Sequence, residues 1–152
     1  MAAGGGRVSG VERYSDAVTT GRVGEERDRA VFEYALLRVV PRLERGECVN
    51  AGVIVYCQER AFLAARSALD ERRLLAVDPE ADVEGVRRAL AAVESLCRGG
   101  AEAGAAGRER PGQRFRWLTA PRSTIVQPGP IHGGLTEDPR VEVERLLDRL
   151  VR

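Results

Sequence analysis

The 152 residues carry 24 Lys+Arg against 23 Asp+Glu, for a net charge of +1, with 43% hydrophobic and 31% charged residues. A chain of that length buries one core and fits one domain. A nearly neutral surface supplies no long-range field toward nucleic acid or an anionic membrane. Every basic residue is Arg. A skewed nucleotide composition in the source accounts for that more simply than selection for phosphate binding. No stretch approaches the roughly 20 apolar residues that span a bilayer. Residues 1–22 lack the apolar core of about 7–15 residues that marks a secretory signal. Cys48, Cys57 and Cys97 form no C-x-x-C pair, which fits a reduced, cytoplasmic protein with buried thiols.

In chain order, residues 1–29 mix Gly, Arg, Glu, Ser and Thr without an apolar period and read as a disordered tail. The globular domain is expected over 30–152. Val31–Pro41 is an apolar run broken by Glu33 and Arg38, and reads as a strand buried on much of both faces. Residues 42–47 form a polar turn. Cys48–Gln58 is a second strand, so the two predict a hairpin. Strict alternation places Asn50, Gly52, Ile54 and Tyr56 on one face and Val49, Ala51, Val53, Val55 and Cys57 on the other. A short third strand is expected at 61–65 and a short helix at 69–77. Asp78-Pro79 reads as an N-cap with proline at the first helical position, opening a helix over 79–98. The Gly-rich run 99–112 reads as a flexible low-complexity loop. Phe115–Leu118 reads as a strand and Thr124–Val126 as an extended segment. A closing helix over 138–151 repeats the Asp-Pro signal. The fold class is therefore α+β: an antiparallel sheet of three to five strands with two or three helices packed on one face.

The pattern Tyr34-x-Leu36-Leu37-Arg38, Pro41, Arg45-Gly46-Glu47, Val49-Asn50-x-Gly52-Val53, with the later Pro121-Arg122, resembles a bacterial family known as domain of unknown function 3037. The resemblance covers residues 31–151. It implies a small cytosolic protein without an assigned reaction. It also implies an accessory role beside a partner, since members are often encoded next to a kinase-like protein related to the HipA toxins.

Arg38 is the sharpest candidate for chemistry, because a guanidinium in an apolar strand must be paired or hold an anion. The bland alternatives are an ion pair with Glu33, Glu44 or Glu47, or exposure on an open sheet face. Glu47 and Asn50 lie near the turn, and Arg38 with Asn50 could hold a carboxylate or phosphate if the register brings them together. Arg122 and Ser123, followed by Thr124, could surround an anion, although a plain turn with satisfied hydroxyls is simpler. Arg114, Arg116 and Trp117 mimic a single-strand binding run, for which one Trp at neutral charge is a poor basis. His132 is the lone histidine. A Ser123–His132–Asp138 triad lacks a nucleophile elbow, and the cysteines with His132 lack the ligand spacing of zinc sites. No metal or cofactor is expected. The reading is a non-enzymatic binding or accessory module working with a protein partner, with a HipA-like kinase suggested by the resemblance. The alternatives are a small enzyme or sensor for an anionic metabolite through Arg38, Asn50 and Arg122, and a weak single-stranded nucleic-acid binder.

Overall fold

The computed structural model describes residues 28–152; the tail expected over 1–29 lies outside them save for Asp28 and Arg29, which lead directly into the first strand. The described residues form β1 (Ala30–Val39), β2 (Val49–Cys57), β3 (Phe62–Ser67), α1 (Glu71–Val77), α2 (Val83–Arg98), α3 (Pro111–Leu118), β4 (Val126–Pro128), β5 (His132–Thr136) and α4 (Pro139–Leu150). Two short 3-10 turns, Ala101–Ala103 and Ala105–Arg108, occupy the Gly-rich run before α3. The expected α+β class with an antiparallel sheet holds, with five strands and four helices rather than two or three. No helix is long and apolar enough to cross a membrane among these residues.

The sheet order is β3-β2-β1-β4, and β5 also pairs with β1. Thus β4 lies against Leu37–Val39 and β5 against Ala30–Tyr34, on the same side of β1. The β-branched and apolar runs of β1 and β2 are dry on both faces. Leu37, Val39, Ala51 and Ile54 meet α1, α2 and α3 through Leu74, Val86, Leu90 and Phe115. Phe32, Val53, Val55 and Cys57 meet α4 through Val143, Leu146 and Leu147. The expectation of helices on one face is corrected here: the amphipathic stripe of α4 covers the second apolar face, which would otherwise face water.

Strict alternation along β2 also fails at one point. Leu37 pairs with Gly52, but the next residue, Arg38, pairs with Asn50, so Ala51 is an extra residue in a β-bulge. The bulge turns Ala51 toward Ile54 and brings Asn50 to the face of Val53 and Val55. Gly52 sits where a Cβ would come within 2.8 Å of the Arg66 carbonyl oxygen and 3.2 Å of Leu37. Glycine is required there for space, so close backbone packing and not ligand approach explains it.

Two other expectations are revised, and one strand is new. Asp78-Pro79 does not open α2; the Asp78 N–H closes α1 on the Leu74 carbonyl, and Asp82 caps α2 by accepting from the Gly85 N–H at 3.0 Å. Phe115–Leu118 is helical, because Pro111 at the first position and long unbranched Gln113, Arg114 and Arg116 favour a helix that buries Phe115 and Leu118 on one side. Residues 132–136 form a strand despite Gly133 and Gly134, held by pairing with β1. The closing helix begins as expected, with Asp138 accepting from the Arg140 N–H and Pro139 in the first turn.

Cys57 and Cys97 are buried and Cys48 is exposed, all as free thiols. Burial pushes the Cys97 thiol up to about 12. Ellman's reagent at pH 8 should therefore titrate Cys48 rapidly in the native protein and all three thiols after denaturation. Replacing Gly52 by Ala should destabilise the fold by about 1–3 kcal/mol through overpacking, read as a lower urea midpoint with unchanged m-value.

Candidate functional site

An apolar concavity lies on the face covered by α2 and α3. Along α2, Asp82, Gly85, Val86, Ala89, Val93 and Leu96 recur at three- and four-residue spacing, so they form one ridge. Their small members leave a trough. The opposite wall is Trp117 and Leu118 of α3 with Arg122, Thr124, Ile125 and Val126, and the half-open groove has a volume of about 570 Å³. A second cavity of about 440 Å³ continues beyond Trp117, between Leu96, Gln113 and the Ala105–Ala106 turn.

Phe115 and Leu118 anchor α3 in the core, and that leaves Trp117 facing outward at 54% exposure. Arg122 folds back over it. Its guanidinium carbon stands 4.8 Å from the ring centroid and the group donates to the Trp117 and Ala120 carbonyls. Ile125, 40% exposed, completes the apolar wall. At the N-terminal end of α2 the floor gives way to Asp78, Glu80 and Asp82. None of these three forms an ion pair within 4.0 Å among the described residues.

The residues singled out in the sequence are distributed over both faces. Arg38 and Asn50 are direct cross-strand partners. Asn50 donates to the Leu150 carbonyl at 3.2 Å, which places the pair at the C-terminal end of α4. The Arg38 guanidinium lies against Gly129, 3.1 Å from where a Cβ would stand. The three carboxylates considered for it are held by other arginines: Glu33 by Arg116 at 2.8 Å, Glu44 by Arg42 and Glu47 by Arg45. Arg122 lines the groove on the opposite face of the sheet, so it does not join Arg38 and Asn50.

Ser123 is exposed beside Arg122, and the Thr124 hydroxyl donates to the Val126 carbonyl, as in an ordinary turn. His132 opens β5 and packs on Tyr34, with ring centroids 5.2 Å apart. The Asp138 carboxylate is engaged by the backbone and side chain of Arg140, which hold it below the usual carboxylate range. It therefore serves as a helix cap, and the paper triad does not assemble. Arg114 donates to the Leu96, Cys97 and Glu109 carbonyls. With Arg116 on Glu33 and Arg122 on backbone, the basic run around Trp117 is committed to its own chain.

The sequence reading missed the groove because it treated Trp117 as part of a strand. The signal was present in Gly85, Ala89 and Ala92, a row of small residues on one side of an otherwise amphipathic helix.

A family model described as "Protein of unknown function (DUF3037)" matches residues 34–151. The chain belongs to this family. No curated protein and no solved structure matches it. The span matched by the DUF3037 model contains the whole groove and the Arg38–Asn50 pair. In this DUF3037 member Asn50 ties β2 to the end of α4. Replacing Asn50 by Ala should cost about 1 kcal/mol through loss of that hydrogen bond, measured by chemical denaturation.

Proposed function

We propose that this protein is a non-enzymatic accessory module that binds a partner polypeptide in the groove between α2, α3 and residues 122–126. The observation that carries the reading is Trp117. Its indole stands largely exposed on the wall of an apolar trough, fixed in place by Arg122. Exposed aromatic and Arg side chains beside an apolar pocket are the composition of binding hot spots. The groove contains carboxylates, Arg122 and Thr124 but no nucleophile hydrogen-bonded to a base, so binding accounts for it better than covalent catalysis.

The family resemblance makes a HipA-like kinase the first partner to test, and a cytoplasmic setting follows from the same reading. Recognition of an anionic metabolite by Arg38 with Asn50 is the weaker reading. It keeps a cross-strand pair but loses Arg122 to the other face. Single-stranded nucleic acid is weaker still, since Arg114, Arg116 and Arg122 are engaged internally.

The test is site-specific photocrosslinking in the native cell. A benzophenone side chain at Ala92, in the groove, should give one discrete adduct with another polypeptide, and the adduct should disappear with Trp117→Ala. The same group at Arg149, exposed on α4 across the sheet, should give none. Equal labelling from both positions, or no adduct from Ala92, would sink the reading. Co-expression with a HipA-like kinase then asks whether a protein of that kind carries the adduct.

A further inference from the structure

The groove has a shape and a polarity that define its occupant more closely, on the premise that it is the partner site just described. Its floor follows α2 from Asp82 to Leu96, a run of about 20 Å or four helical turns. Gly85, Ala89 and Ala92 along it are small, so another backbone can approach to the 8–10 Å typical of packed helices. An added strand is the other common way to bind a peptide. Among the described residues the strand beside the groove is β4, which has three residues and ends in Pro128, whose nitrogen has no hydrogen to donate. That edge offers little ladder, and the i, i+3, i+4 spacing of the α2 ridge suits a helix instead.

The charge is one-sided. Asp78, Glu80 and Asp82 crowd the N-terminal end of α2, while the far end meets Leu96 and Trp117. Carboxylates without ion-pair partners there call for Arg or Lys in the occupant. Basic side chains are most favourable in the last turn of a helix, where they oppose the negative end of its own dipole. A helix running antiparallel to α2 brings its last turn to those carboxylates.

We propose that the groove receives an amphipathic α-helix of the partner, antiparallel to α2, with its apolar face on Val93 and Trp117 and Arg or Lys in its last turn against Asp78, Glu80 and Asp82.

The test maps where benzophenone adducts land on the partner. Photocrosslinkers are placed separately at Ala81, just before the Asp82 cap and by the carboxylates, and at Ala92, which stands about 15 Å along α2 from that cap. For an antiparallel helix, the Ala81 adduct falls C-terminal to the Ala92 adduct by about 10 residues, in a segment with Arg or Lys at its end. For an extended peptide the separation is about 4–5 residues. Asp78→Asn combined with Glu80→Gln should lower the Ala92 adduct yield roughly fivefold at low salt, with the loss shrinking as salt rises. Strand-like spacing, reversed order, an acidic or neutral segment, adducts on a second copy of this chain, or indifference to the two substitutions would each overturn the helix assignment. Except for adducts on a second copy, which would overturn the partner reading as well, adduct formation from the groove persists in those outcomes and the partner-binding reading survives. Loss of all adducts refutes both.

Discussion

The central two strands are enclosed on both sides, and this double enclosure organises the molecule. Leu37, Val39 and Ile54 have to be covered by one set of helices and Phe32, Val53 and Val55 by another. A sheet with both surfaces dry demands continuous apolar strands, and it positions every helix relative to a common reference plane. The groove is one product of this arrangement. α2 is spread over the sheet by Val86 and Leu90, α3 is pinned by Phe115 and Leu118, and the trough is the space left between the two supports. The site is therefore carried by core elements, which keeps Trp117 at a fixed height above its floor.

The central hairpin was legible because its β-branched runs and the polar turn between them agree about the same structure. The bulge was not. One additional residue in a strand changes no composition, and Gly52 alone cannot say whether it relieves a close contact or marks an irregular ladder. Yet the bulge decides that Arg38 and Asn50 share a face, so the most specific site hypothesis depended on the feature least visible in the residues. α3 was misread for a related reason. Over Phe115–Leu118 a helix and a strand make the same apolar–polar statement, and Pro111 four residues earlier was the arbiter. β5 was missed because Gly133 and Gly134 have little strand preference of their own; its pairing is imposed by β1.

The arginines explain why several candidate sites dissolved. Arg114 spans three carbonyl groups, Arg73 reaches the Val151 carbonyl, Arg60 the Asp28 carbonyl, and Arg122 two carbonyls and an indole face. A planar fork of donors can cross-link several backbone oxygens from one stem, which a point-charge ammonium does less well. In a chain whose basic residues are all Arg, a guanidinium beside an aromatic is thus as much a structural clamp as a ligand contact. Arg38 differs, lying along Gly129 with none of the three nearby carboxylates first considered for it.

The Arg114 clamp also isolates the stretch between α2 and α3. The Gly100 N–H bonds the Gly107 carbonyl at 3.1 Å, and Gly99, at a φ of +74°, gives the guanidinium room to reach Leu96 and Cys97. The two ends of the excursion are thereby tied at its neck. Chain can be added or removed at its tip, around Gly104, with small entropic cost and no change in the spacing of the flanking helices. This makes the tip the natural point for length variation among relatives, and a practical site for inserting a reporter domain.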